Sequence, residues 1–150
     1  MTEERRCGEG QPELSQLRAV LAQEPDVLAA YVFGSTASGQ ARATSDLDVA
    51  VLLEGPRSLA ALTERRFELG RVLDSCTKRP VDLVILNDAS SVLQVQVLRL
   101  GCLIYERDRS ARVDFEVEAG KTYADLKPMR EFFRRALVRE IEEGYLGGRR

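Results

Sequence analysis

Residues Tyr31 to Leu53 read YVFGSTASGQARATSDLDVAVLL, and the two ends of this stretch decide the fold. The run Val27 to Phe33 (VLAAYVF) is short, apolar and stopped by Gly34, which predicts a buried strand. Asp48 to Leu53 (DVAVLL) predicts a second strand, closed by Glu54, Gly55 and Pro56, a strong break. Between them, Gly34 and Ser35 begin a turn or a short helix, and ten residues separate Ser35 from Asp46.

Working outward, Pro12 to Gln23 carries Leu14, Leu17, Val20 and Leu21 at helical spacing. Arg57 to Cys76 is charged and leucine-rich, and is expected to be a helix. Pro80 introduces Val81 to Leu86 (VDLVIL), a third strand. Ser90 can cap a helix that Gly101 ends, and Cys102 to Tyr105 is a short fourth strand. Beyond Glu106 the pattern is helical to about Glu143, punctuated by Gly120 and Pro128. In its last helix Met129, Phe133, Ala136, Leu137 and Ile141 share one apolar face. Glu131 with Arg135, and Arg139 with Glu143, are i,i+4 pairs. The expected architecture is one mixed α/β domain, a small sheet flanked by helices with a C-terminal helical tail. Its divisions are a disordered tail at 1–10, a core at 11–106, a helical extension at 107–146 and disordered residues at 147–150. The tail either packs on the sheet or presents a surface to a partner.

Composition bounds the chemistry. With 150 residues, 44% hydrophobic and 31% charged, the chain reads as an ordinary soluble domain. No apolar run approaches the roughly 18 residues of a membrane span, and the polar start does not resemble a secretory signal. Cys7, Cys76 and Cys102 are odd in number and form no CxxC pair. No disulfide framework or zinc site is expected, Cys102 reads as a small buried residue, and a reducing cytoplasm is the expected location. There is no histidine, so Ser-His and Cys-His nucleophile pairs are excluded, and acid–base or metal work falls to carboxylates, lysine or tyrosine. A net charge of −2 leaves no footprint for a long nucleic acid; a small anionic ligand carrying its own metal fits better.

The chemistry-bearing residues sit at the strand ends. Gly34 lets backbone approach a ligand, and the N–H groups following it can form an anion-binding concavity with Ser35 at a helix start. Alone, Gly-Ser after a strand is a common turn. Asp46 and Asp48 are two apart, so in a strand they project to the same face, with backbones roughly 6.6 Å apart. Two carboxylates at that distance repel by about 2.5 kcal/mol at an effective dielectric of 20. Mg²⁺ is the natural offset, being a hard cation usually held by one or two carboxylates plus substrate phosphates. Alone, Asp-x-Asp also reads as a solvated strand entry. Asp82, one residue into the third strand, completes a three-acid cluster if that strand lies beside the second. Otherwise it is an exposed strand-start residue. The coincidence of Gly-Ser, the spacer and Asp-x-Asp is expected by chance in on the order of one chain in several hundred.

Gly34-Ser35, Asp46-x-Asp48 and Asp82 together resemble the DNA polymerase β-like nucleotidyltransferase superfamily, in its minimal branch. Arg99 to Arg107 (RLGCLIYER), Val113 to Val117 (VDFEV), Leu126 to Met129 (LKPM) and Arg135 to Leu137 (RAL) look like the MntA-type antitoxins of HEPN/MNT toxin–antitoxin pairs. The likeness spans roughly residues 12 to 145. It implies a nucleotidyltransferase fold, with Asp46 and Asp48 as ligands of a two-metal Mg²⁺ site and Asp82 as ligand or base. Gly34 and Ser35 would contact the phosphates of ATP. It also implies AMP transfer to a tyrosine hydroxyl of a HEPN ribonuclease, in a hetero-oligomer with that toxin and away from any membrane. Relatives often carry Arg after Gly-Ser; here the turn reads Thr36-Ala37-Ser38-Gly39, and Arg42, the nearest cation in sequence, is expected to take its place in binding the nucleotide. The competing readings are a non-catalytic antitoxin acting by stoichiometric binding, and a small-molecule nucleotidyltransferase.

Overall fold

In the computed structural model, which describes residues 10–39 and 45–147, the apolar runs form one four-stranded sheet. Its strands are β1 (Val27–Phe33), β2 (Leu47–Leu53), β3 (Val81–Ile85) and β4 (Cys102–Glu106), in the order β3-β2-β1-β4. β1 is antiparallel to both β2 and β4, whereas β2 and β3 are parallel. The helices are α1 (Pro12–Leu21), α2 (Gly34–Ala37), α3 (Leu59–Cys76), α4 (Ser91–Leu100), α5 (Arg109–Asp125) and α6 (Lys127–Gly147). The expected order of elements and the mixed α/β class therefore hold. Gly120 does not interrupt α5; Leu126 separates α5 from α6, and Pro128 falls in the first turn of α6, where its missing N–H costs nothing. The expected tails at 1–10 and 147–150 fall almost wholly outside the described residues.

Side-chain alternation assigns each strand residue to one of two layers. On one face, Val32, Val49, Val51, Leu83 and Ile85 pack against Leu14, Leu17 and Leu21 of α1 and Leu62, Leu69 and Leu73 of α3. On the other, Ala29, Tyr31, Ala50 and Leu52 meet Val97 of α4, with Leu93, Leu98 and Phe115 around them. Parallel pairing of β2 and β3 needs a crossover, and α3 supplies it. Its start is capped by Ser58, whose hydroxyl accepts from Ala61 N–H (3.1 Å), and Ser90 caps α4 in the same way through Leu93 N–H (3.2 Å).

α5 is held on the second face by an ion network rather than by an apolar stripe. Arg112, 3% exposed, donates to Glu106 (2.5 Å) and Glu116 (2.6 Å), and Tyr31 Oη donates to Glu116 (3.0 Å). Burial and the neighbouring Glu116 carboxylate raise the Tyr31 pKa well above the ordinary phenol value. Among the described residues no helix is long and apolar enough to cross a membrane. Cys102 is buried in β4 as expected, but it is disulfide-bonded, contrary to the expectation of reduced thiols throughout. Cys76 is a free thiol.

Candidate active site

β1 runs toward the end of the sheet where β2, β3 and β4 begin, because it is antiparallel to its neighbours and they run together. At that end Phe33 pairs with Asp48 across one strand boundary, and Asp48 pairs with Asp82 across the next. Paired residues point to the same face, so Phe33, Asp48 and Asp82 form one row on the α4/α5 side. The next row inward is Tyr31, Ala50 and Val84, which belongs to the apolar layer. Asp48 is half-buried and Asp82 exposed. Asp82 is thus an exposed residue at a strand start and a neighbour of Asp48 at once. Asp46 lies one residue before β2 rather than within it, and is exposed.

The electrostatics follow from this crowding. Partial burial pushes the Asp48 carboxyl above the ordinary carboxylate range, and the charges of Asp82 and then Asp46 push it the same way. An ionised carboxylate in that position is destabilised unless a cation lies beside it. Among the described residues no three acid side chains stand close enough together to hold a metal ion among themselves. Mg²⁺ does not demand three, since it keeps water and takes phosphate oxygens alongside one or two carboxylates. The donor set of Asp48 with Asp82, and Asp46 at the strand entry, suits that partly filled coordination.

Gly34 explains why the turn approaches the acids so closely. Its φ is +66°, in the left-handed region that favours glycine. A Cβ there would overlap the Asp48 carboxylate, lying 3.2 Å from Cγ and closer still to Oδ2. α2 starts at Gly34 with no side-chain cap. The N–H groups of its first turn, including that of Ser35, therefore have no side-chain acceptor beside the acid row, an arrangement suited to phosphate oxygens. Arg42, expected to stand in for the missing cation of the turn, lies outside the described residues.

A different cation touches this turn. Arg79, in the connection from α3 to β3, donates to Thr36 Oγ1 (3.4 Å) and grips Glu13 of α1 through Nε and Nη2 (2.8 Å at the shortest). It ties α2 to α1 and so braces the glycine-serine bend. Sequence reasoning missed it because Arg79 is 43 residues from Thr36. Only its position beside Pro80, at the entrance to the Asp82 strand, hinted at it. A groove of about 330 Å³ between α3 and β3 is lined by Phe67, Gly70, Val81 and Leu83. Val81 and Leu83 alternate with Asp82, so this groove opens on the face opposite the acids.

A glycine-led helix start, an acid row at the mouth of parallel strands and an α/β core define a nucleotidyltransferase. Residues 15–110 match the polymerase beta nucleotidyltransferase family, and the chain belongs to that family. It is also 33% identical over 107 residues to the protein adenylyltransferase MntA of Shewanella oneidensis, covering 71% of this chain and 73% of that protein. Two solved structures are similar across most of the chain. One is a crystal structure of a toxin–antitoxin with AMP-PNP (TM-score 0.71, 29% identity, 85% of this chain and 99% of that one). The other is a tri-AMPylated Shewanella oneidensis HEPN toxin in complex with MNT antitoxin (TM-score 0.65, 27% identity, 84% and 96%).

Proposed function

We propose that this chain is an antitoxin that transfers AMP from ATP to a tyrosine hydroxyl of a HEPN-type ribonuclease, silencing it. The observation carrying this reading is the register pairing of Asp48 with Asp82 beside the Gly34 bend; burial first, and then the Asp82 charge, push the Asp48 carboxyl above the ordinary range. Residues 11–106 would perform the chemistry, and 107–146 would extend the same domain. In the transfer, the acceptor oxygen attacks the α-phosphorus of ATP in line. The bond from that phosphorus to the bridging oxygen breaks, and pyrophosphate leaves with the electron pair. Asp46, Asp48 and Asp82 would hold Mg²⁺, which supplies charge neutralisation for the attacking and leaving oxygens. Asp82, the more exposed member of the strand pair, is also the acid placed to take the tyrosine proton. The α2 backbone N–H groups and Ser35 hold the phosphates, and Gly34 allows them within reach of the acids. The cytoplasm, which supplies ATP, is the proposed location.

The test is incubation with α-labelled ATP, Mg²⁺ and a candidate HEPN-type ribonuclease partner. Label on the partner, lost when Mg²⁺ is chelated, is the expected result. In Asp46→Ala/Asp48→Ala the transfer falls by at least about 10³-fold, a loss of about 4 kcal/mol of transition-state stabilisation. A double variant that still protects cells as well as the parent would instead establish neutralisation by binding alone.

A further inference from the structure

α2 has little of its own to hold it beside the acid row. It has four residues, none of them buried, and no side chain caps its start. A helix this short is not stable by itself, so its place depends on what grips it. At its front it continues from Phe33, whose strand partner is Asp48. Its own bonds stay inside the turn: Ser38 Oγ donates to the Ser35 carbonyl (3.1 Å) and Ser38 N–H to that of Gly34 (3.2 Å). Among the described residues, one side-chain hydrogen bond ties α2 to the rest of the chain, from Arg79 Nη1 to Thr36 Oγ1 (3.4 Å). Residues 34–39 carry no charged side chain, so the cation that touches this turn is Arg79.

Arg79 is itself fixed from several sides. Its side chain is 14% exposed and grips Glu13 of α1 through Nε (3.2 Å) and Nη2 (2.8 Å). Its carbonyl accepts from Thr77 Oγ1 (2.8 Å). The carbonyl of Pro80 accepts from Leu47 N–H (2.8 Å), and Val81 N–H donates to Asp74 of α3 (2.7 Å). The segment 77–82 therefore meets each part of the site. It holds the entry of β2 just after Asp46, it carries Asp82, and through Arg79 it reaches the turn that lies against Asp48. Gly34 stands so close to the Asp48 carboxylate that no Cβ fits between them, so a small shift of α2 changes that contact directly.

We infer that Arg79 is a positioning residue for the bound nucleotide: anchored on Glu13, its guanidinium sets the turn 34–36 at the distance from Asp48 that the phosphates require. The planar fork is what the place demands. Nε and Nη2 are engaged by one carboxylate, and Nη1 is left to reach a second acceptor, which the single ammonium of a lysine cannot reproduce. This deepens the transfer reading above and rests on it for the phosphate-holding role of the turn. Nucleotide affinity tests it without the partner protein.

Binding of AMP-PNP in the presence of Mg²⁺ is measured by calorimetry for Thr36→Val, Arg79→Lys, Arg79→Gln and the double variant Thr36→Val/Arg79→Gln. Thr36→Val keeps the side-chain shape and the pairing of Arg79 with Glu13, so the melting temperature stays at the parent value. Its dissociation constant rises about tenfold, as expected for one lost hydrogen bond to a charged group. Arg79→Gln and Arg79→Lys raise it at least as far, and the double variant no further than Arg79→Gln, because both changes break the same bridge. Parent affinity in Arg79→Lys overturns the inference, since charge alone would then suffice. So does parent affinity in Thr36→Val, or effects of Thr36→Val and Arg79→Gln that multiply in the double variant. Should the Arg79 variants fail to fold, the affinity of Thr36→Val decides alone. A parent that binds AMP-PNP, and loses affinity in these variants, but labels no HEPN-type protein overturns the transfer reading and leaves Arg79 its positioning role.

Discussion

The two faces of the sheet are built differently. The α1/α3 face is aliphatic throughout, with leucines from both helices closed over Val32, Val49, Val51 and Ile85. The α4/α5 face has a thinner apolar layer, two of whose strand positions are alanines, Ala29 and Ala50. Its helix α5 is fastened by the buried Arg112 with Glu106, Glu116 and Tyr31. At one end this second face stops being apolar, and the row Phe33, Asp48 and Asp82 is left open. The first face is apolar throughout. The other holds the acids, whose mutual repulsion a fully covered face could not tolerate without a partner charge.

That contrast can be broken most severely at Arg112. Arg112→Ala leaves Glu106 and Glu116 without their guanidinium and costs about 3–5 kcal/mol of unfolding free energy, measured by urea titration. A loss under about 1 kcal/mol would mean that α5 does not depend on the network. On the aliphatic face, Leu69→Ala leaves a cavity and costs about 3 kcal/mol. AMP transfer per folded molecule stays at the parent rate, because Leu69 faces away from the acids. A selective fall in that rate would erase the division of labour between the faces.

Gly34→Ala works in the other direction. The added Cβ overlaps the Asp48 carboxylate, so transfer falls about hundredfold, equivalent to about 2.7 kcal/mol, with a smaller change in stability. Equal losses of activity and stability would show that Gly34 serves the fold and not the site. The smallest effect belongs to an ion cluster beside the aliphatic face. Arg65 donates to Asp26 (2.7 and 2.9 Å), and holds its carboxyl below the usual carboxylate range. A folded pKa below the unfolded one means the folded state binds fewer protons, so this stabilisation is present at neutral pH. It is lost as pH falls through the lowered value. Asp26→Asn therefore costs about 1–2 kcal/mol at pH 7, between exposed-pair and buried-pair values, and the difference from the parent closes in acid. A difference independent of pH would exclude the carboxylate as its source.

Much of the fold was legible because its signals are local. β1 begins and ends where its apolar run does, and Ser90 and Gly101 bound α4 as their capping chemistry implies. The polarity of the acid stretch was equally plain, although Asp46 proved to precede β2 rather than share its pleat. Arg79 and the Arg112 network were not legible, since a charged residue in a polar helix looks the same whether it faces water or carboxylates folded back from elsewhere in the chain. Nor did the cysteine spacing anticipate a disulfide at Cys102.

Periodicity and turn chemistry are properties of neighbours in the chain, so the sequence alone determined the strands, the helices and the glycine-serine and aspartate motifs. Tertiary structure decided which strands lie side by side. The parallel register of β2 and β3 puts Asp82 next to Asp48 across 34 residues of chain, and the short contact of α6 with α5 leaves an apolar helix face open. These are differences between packings of the same elements, and only the packing that buries the leucines of α1 and α3 on one face makes Asp48 and Asp82 neighbours at the other.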